Sequence, residues 1–298
     1  MTDMQRPKIG AHVSAAGGLW QAVERARTIG AECLQIFGAS PRGWAAKLPA
    51  KAEADRFKAA LKEAKLGPVY LHAAYLVNLA SPESVNRAKS VKSLIAHLRI
   101  AEALGATGLI FHLGSGKGMP RAEAVDLTLK GMRAVLKAVP PARRSLGEGG
   151  GKYPLLIMEN SAGGGDKLGT RPEEIGELFE RMKSKRVAVC IDTAHAFEAG
   201  AIERYTQATV KIFVSALDRT IGLEHILAIH ANDSKTPASS HRDQHENIGD
   251  GHIGRAGFRA LAAERRLHHC DWILEVPGIQ EEGPDAENIK RLRSCFLK

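Results

Sequence analysis

Six short apolar runs in this sequence stop at a residue that can hold a cation or move a proton: His72, His112, Glu159, Asp192, His230 and Glu275. The fullest case is Ala188-Val-Cys-Ile-Asp-Thr-Ala-His195. Val187 to Ile191 is apolar and rich in β-branched residues, the composition of a strand buried on both faces. The run ends at Asp192, and His195 follows three positions later. A carboxylate at the end of a buried strand is costly unless it is paired or coordinates something. One such residue, taken alone, most often caps a helix or satisfies a neighbouring backbone group. Three imidazoles and three carboxylates at the same point of a repeating pattern indicate more. Crowded carboxylates repel and raise one another's pKa values, and divalent cations resolve that conflict. Imidazole and carboxylate without thiolate suit zinc or manganese. A later loop, Ser239 to Gly254, adds Asp243-Gln-His245. A carboxylate and an imidazole two apart are aimed to one side by extended backbone, and His195 is a third donor for that pair.

Those residues need a scaffold that delivers strand ends to one place. The patterning predicts eight strands: Lys8 to Val13, Cys33 to Phe37, Val69 to His72, Thr107 to His112, Leu155 to Glu159, Val187 to Asp192, Leu227 to His230 and Trp272 to Glu275. Helical spacing runs between them, at Leu19 to Ile29, Lys51 to Lys65, Pro82 to Leu104 (with Ser81 as its cap), Ala122 to Val139, Pro172 to Met182, Arg255 to Arg265 and Asp285 to Phe296. Two helical pieces fit Ile202 to Leu223. Eight alternations in 298 residues predict an α/β fold, a single-domain (β/α)8 TIM barrel over residues 1–298, with its chemistry at the C-terminal ends of the strands. The glycine-rich stretch Arg143 to Lys152 reads as a flexible insert. It lies between a helix and the next strand, on the face opposite the site.

The totals bound the partners. A net charge of +9 suits a polyanion such as nucleic acid, although many basic proteins bind none. Twelve histidines beside 5% aromatics favour metal chemistry over base stacking. The four cysteines have no CxxC spacing, so they read as reduced core residues. No apolar run approaches the ~20 residues of a membrane span. The start, Met1-Thr-Asp-Met-Gln-Arg-Pro7, lacks signal-peptide features. A cytoplasmic monomer with no membrane partner is expected.

Several long stretches resemble the endonuclease IV family of zinc-dependent apurinic/apyrimidinic endonucleases. They are Ile9-Gly-Ala-His-Val-Ser-Ala-Ala-Gly-Gly18, Tyr75-Leu-Val-Asn-Leu79, Phe111-His-Leu-Gly-Ser115, Glu159-Asn-Ser-Ala-Gly163, Cys190-Ile-Asp-Thr-Ala-His-Ala-Phe197, His230-Ala-Asn-Asp-Ser-Lys235, and Asp243-Gln-His245 through Gly249-Asp-Gly-His-Ile-Gly254. The resemblance implies three zinc ions, with manganese an alternative in one or more sites. His72, His112 and Glu159 would hold one. Glu159, shared, with Asp192, His230 and Glu275 would hold the second, and His195, Asp243 and His245 the third. It implies hydrolysis of double-stranded DNA 5′ to an abasic site, leaving a 3′-hydroxyl and a 5′-deoxyribose phosphate, and cleaning of blocked 3′ ends. The nucleophile would be a hydroxide between the two cations joined by Glu159, with the third cation steadying the departing oxygen. Arg42, Tyr75 and Leu76 would wedge into the duplex. Lys117, Arg121, Lys235 and Arg242 are candidates for phosphate contacts.

The sequence departs from the family pattern in three places. Ala73-Ala74 follows His72 where relatives often carry Asp and Ser, so a hydrogen bond orienting that imidazole is expected to be missing. Gly38-Ala-Ser-Pro41 lacks the polarity usual before the Arg, and Glu246 follows the ligand His245. His12 and His252 read as supporting residues. The competing reading is a metal-dependent sugar isomerase or epimerase on the same barrel, for which a third metal site would be superfluous.

Overall fold

Short β-branched runs buried on both sides demand helices on the outside and neighbouring strands on each edge, and the chain supplies both. A computed structural model describes residues 6–141 and 153–297. Eight parallel strands close into a barrel in the order β1 (Ile9–His12), β2 (Leu34–Phe37), β3 (Val69–His72), β4 (Gly108–His112), β5 (Leu155–Glu159), β6 (Val187–Asp192), β7 (Ile226–His230) and β10 (Asp271–Leu274), which returns to β1. Two further two-residue strands, β8 (Asp233–Ser234) and β9 (His245–Glu246), pair antiparallel in the long loop after β7.

The helices α1 (Leu19–Thr28), α2 (Lys51–Ala64), α3 (Ser84–Leu104), α4 (Arg121–Ala138) and α5 (Pro172–Met182) follow the first five strands in turn. After β6 come α6 (Thr193–Glu198) and α7 (Gln207–Thr220), and after β7 comes α8 (Gly254–Ala262). The last helix, α9 (Ala286–Ser294), follows β10. Their buried stripes pack on the outward strand residues as one core that includes Leu94, Leu98, Phe57, Phe111, Phe258 and Trp272. Inside the barrel lies a separate, smaller core of Cys33, Tyr70, Ile110, Ile157, Ala188, Cys190, Ala228 and Ile273. The four cysteines are buried and free. Gly10 is glycine because a β-carbon there would sit 2.1 Å from the Cys33 carbonyl oxygen.

Two details differ from the sequence expectation. Ser81 does not cap α3. The helix starts at Ser84 behind Glu83, and Ser81 Oγ instead accepts from the Glu83 amide at 3.2 Å. Ile202 to Leu223 holds one helix, α7, whose Thr206–Thr209 capping box marks its start, and then a single 3-10 turn at Leu223–His225. The other helical piece lies earlier, at α6, directly on Asp192. Arg143 to Lys152 lies outside the described residues. Among the described residues, no helix is long and apolar enough to cross a membrane.

Candidate metal centre at the barrel mouth

Strand side chains alternate sides, so the residue two beyond each inward-facing core residue also faces inward, one layer nearer the mouth. Applied to Cys33, Tyr70, Ile110, Ile157, Cys190, Ala228 and Ile273, that step reaches Gln35, His72, His112, Glu159, Asp192, His230 and Glu275. The same step from Gly10 reaches His12. Each of the eight strands therefore contributes one polar residue to the last layer. The ladder pairs His112 with Glu159 and Asp192 with His230.

The ligand atoms of three groups lie within 4.8 Å of one another: His72, His112 and Glu159; Glu159, Asp192, His230 and Glu275; and Asp192, His195 and His245. Glu159 stands between the first two. Its Oε2 is 3.1 Å from both His72 Nε2 and His112 Nε2, and its Oε1 is 2.9 Å from His230 Nδ1. Asp243, expected with His195 and His245, has Oδ1 3.1 Å from His195 Nε2 and 3.8 Å from His245 Nε2. The structure adds Asp192 to that corner, with Oδ2 3.5 Å from His245 Nε2.

The Asp-x-x-His spacing has a local cause. Asp192 is the N-cap of α6, and its Oδ1 accepts from the His195 amide at 2.8 Å. The cap holds His195 one turn into the helix and leaves Asp192 Oδ2 for the centre. Asn232 Nδ2 donates to that Oδ2 at 2.7 Å, while Asn232 Oδ1 accepts from the Glu275 amide at 2.7 Å. Asn160 brackets the Asp192 backbone from the other side.

Carbonyl oxygens only accept, so each one facing an imidazole nitrogen identifies the protonated nitrogen. Asn160 O, 3.0 Å from His195 Nδ1, marks Nδ1 as protonated and turns His195 Nε2 toward the centre. Glu275 O, 3.3 Å from His245 Nδ1, does the same for His245. For His72 the partner is Ala73 O at 2.8 Å from Nδ1. The expectation that Ala73 would leave His72 without an orienting hydrogen bond is therefore overturned, because the backbone supplies it.

These residues fit divalent cations. Glu159 and Asp192 are fully buried and the Glu275 side chain is 16% exposed, and among the described residues no Lys or Arg pairs with any of them. Buried carboxylates need a counter-charge, and here only imidazoles face them. Burial pushes the Glu159 carboxyl up, but the neighbouring imidazoles of His112 and His230 outweigh it and hold it well below the usual carboxylate range. Burial lowers His195 while Asp192 and Asp243 drive it well above the usual imidazole value. His245 Nε2 is buried with no hydrogen-bond partner. Inward-turned imidazole nitrogens, which give up their protons to a cation, together with crowded carboxylates form the kind of donor set that zinc or manganese takes.

Beside the first group lies a cavity of about 300 Å³ lined by His72, Tyr75, Asn78, His112, Lys167 and Asp243, among others. Tyr75 is 70% exposed and stands edge-on to Phe37, with ring centroids 5.4 Å apart; Leu76 is 40% exposed. Arg42, Lys117, Lys235 and Arg242 are exposed. Arg121 is engaged by Glu177 at 2.8 Å and Glu174 at 3.5 Å. His12 Nδ1 is 3.0 Å from Glu275 Oε1, and the His252 amide donates to Ser234 O. Glu246 pairs with Asp233 across the β8–β9 ribbon.

Sequence reasoning missed Gln35, Asn160, Asn232, Asp233 and Lys167. Lys167 Nζ approaches Asp243 Oδ2 at 3.4 Å. Asp233 explains the motif Gly249-Asp-Gly-His-Ile-Gly254. Its buried carboxylate accepts from the amides of Ser234, Gly249, Gly251, Ile253 and Gly254. A β-carbon at Gly251 would lie 2.6 Å from Asp233 Oδ1 and 2.4 Å from Ser234 O.

Comparison with known proteins supplies the family. A family model described as Xylose isomerase-like TIM barrel matches residues 23–295. The protein called Probable endonuclease 4 from Aquifex aeolicus is 35% identical over 287 residues, covering 96% of this chain and 97% of that one. The protein of the same name from Halorhodospira halophila is 38% identical, covering 97% and 94%. The chain belongs to the endonuclease IV family. The crystal structure of endonuclease IV from Thermus thermophilus matches this endonuclease IV barrel with a TM-score of 0.81 at 34% identity, covering 97% of this chain and 99% of that one. The donor set at the mouth of this endonuclease IV family member is one that could hold metal ions.

Proposed function

We propose that this DNA endonuclease of the endonuclease IV family is a repair hydrolase that cuts the backbone of double-stranded DNA 5′ to an abasic site, leaving a 3′-hydroxyl and a 5′-deoxyribose phosphate, and that it also clears blocked 3′ ends. Its cofactor would be three zinc ions, with manganese an alternative in one or more sites. The single observation that carries the reading is the convergence of three ligand groups, two of them joined through Glu159, at one mouth. A sugar isomerase has no use for the corner formed by His195, Asp243, His245 and Asp192.

His72, His112 and Glu159 would hold the first ion, Glu159, Asp192, His230 and Glu275 the second, and His195, Asp243 and His245, with Asp192 close by, the third. Divalent cations bound there supply Lewis acidity, lowering the pKa of water and offsetting charge that grows on phosphate oxygens. The protein's own part is positioning. Glu159 turns one oxygen to each of its two groups and fixes their separation. Asp192 caps α6 with one oxygen and keeps the other inside. Arg42, Tyr75 and Leu76, on the rim, would enter the duplex where the base is missing. Such a wedge costs a few kcal/mol of unstacking, least at a damaged step. Lys117, Lys235 and Arg242 would meet phosphates. Arg121 contributes less, because Glu177 and Glu174 already engage it.

The test is a duplex carrying one tetrahydrofuran abasic analogue, incubated with the zinc-loaded protein with and without prior chelation. A nick immediately 5′ of the analogue, lost on chelation and restored by zinc, is the expected result. Glu159→Gln should abolish it while the far-UV spectrum stays unchanged. An intact duplex at every metal concentration, with turnover of a ketose instead, would overturn the reading.

A further inference from the structure

We infer that Gln35 is a positioning residue whose side-chain amide decides which imidazole nitrogen of His230 faces the metal centre. The inference rests on the mouth being a metal centre, and it follows from hydrogen-bond polarity alone. Gln35 lies on β2, fully buried in the mouth layer. Its amide nitrogen is 2.5 Å from Glu275 Oε1, its amide oxygen 2.9 Å from His230 Nε2. His12 Nδ1 is 2.9 Å from the amide nitrogen and 3.0 Å from the same Glu275 oxygen.

An ionised carboxylate accepts only, so the amide must present its N–H₂ to Glu275. The amide oxygen then faces His230 Nε2, and an oxygen can only accept, so Nε2 carries the proton. His230 Nδ1 is therefore the nitrogen available to a metal, and it points at Glu159 Oε1, at 2.9 Å, and Glu275 Oε2, at 3.2 Å. The chain of constraints runs from Glu275 through Gln35 to His230 and returns to the second ligand group.

His230 differs here from the other oriented imidazoles. His72, His195 and His245 have Nδ1 held by backbone carbonyls and turn Nε2 inward. Backbone carbonyls survive any substitution at their own position. His230 turns Nδ1 inward and depends on a side chain, so this orientation can be removed by one mutation. Partners of this kind fix ligand tautomer and orientation, and their loss typically weakens metal binding about 10–100-fold.

Gln35→Met removes donor and acceptor while keeping length and apolar bulk. The probe is zinc alone, titrated into the metal-free full-length protein against a chromophoric chelator, with cobalt(II) titration read in the visible spectrum. We expect one metal equivalent of Gln35→Met to bind about 10–100-fold more weakly, with its cobalt band altered and the remaining equivalents unchanged. Packing alone would leave all equivalents and bands as in the wild type. Should Gln35→Met fail to fold, the wild type still decides. In a long-range proton–nitrogen-15 spectrum of the zinc-loaded protein, His230, assigned by its loss in His230→Asn, should show a protonated Nε2 and a metal-bound Nδ1. Zinc on Nε2, or a Gln35→Met protein that binds zinc as the wild type does, overturns the role of Gln35 and leaves the metal centre standing. A wild type that takes up no zinc overturns the metal centre itself, and the role of Gln35 with it.

Discussion

Replacing Asp233 with Asn should cost about 3–5 kcal/mol of stability and should loosen one corner of the centre selectively. The carboxylate is fully buried, with Oδ1 2.9 Å from the Ser234 and Ile253 amides and Oδ2 2.9 Å from Gly249 and 3.2 Å from Gly251. Gly254 donates to both oxygens. An Asn side chain keeps one acceptor and turns an N–H₂ toward at least two of those amides. Two hydrogen bonds to a charged group are lost, at about 1.5–3 kcal/mol each. Water reaching the half-buried Gly249 and Gly251 relieves part of the cost. At ~2–4 °C per kcal/mol, the melting midpoint should fall by roughly 6–20 °C. The control is Asp250→Asn. Asp250 pairs with Arg291 at 2.7 Å but is 48% exposed, so its loss should cost under ~1 kcal/mol. Asp233 also anchors β8, across which Ser234 pairs with His245. Zinc should therefore be lost from the His195–Asp243–His245 corner before the other groups. Urea unfolding at fixed saturating zinc, with zinc per chain measured in parallel, reads both effects. An Asp233→Asn protein that unfolds at the wild-type midpoint and keeps every ion would refute the anchoring role.

Other outcomes follow from burial and charge. Burial, aided by the charge of Asp192, pushes the Glu198 carboxyl from 4.5 up to about 7, against the hydrogen bond from Ser234. The folded value lies above the unfolded one, so this group's contribution is fully present below pH 4.5 and is lost as pH rises toward 7. Glu198→Gln should therefore gain about 1–2 kcal/mol on the wild type between pH 5 and pH 8 in denaturant titrations, after discounting for nearby solvent; a pH-independent difference would contradict it. Asp243 is 35% exposed at its side chain, whereas Glu159, Asp192 and His230 are at 0%. A chelator should release the ion next to Asp243 first, seen as a fast phase in released zinc, and a single uniform phase would count against that order. Cys33, Cys190, Cys270 and Cys295 are buried, and burial pushes the Cys190 thiol up to about 12. None should react with a thiol reagent in the native protein and all should react in denaturant; rapid native labelling would place a cysteine outside the core.

The barrel and six of its mouth residues were legible because both rest on local signals. A buried strand is a short β-branched run, and its end is the point where an ionisable residue interrupts it, as at Cys190-Ile-Asp192 and Ala228-Ile-His230. Helix edges were less legible. Ser81 has the chemistry of a cap, yet the chain turns into α3 only at Ser84. The stretch from Ile202 to Leu223 held one helix where two would fit, because the other turn had been nucleated earlier by Asp192.

The reach of local information ends where partners come from different strands. Period-two alternation and the right residue types at strand ends place His72, His112, Glu159, Asp192, His230 and Glu275 on one rim without any knowledge of contacts. That Asp192 faces His245 and that Gln35 orients His230 required the folded barrel. Closure brings residues 195 positions apart to 2.9 Å. Hydrogen-bond polarity is a property of pairs, and no single strand contains both members.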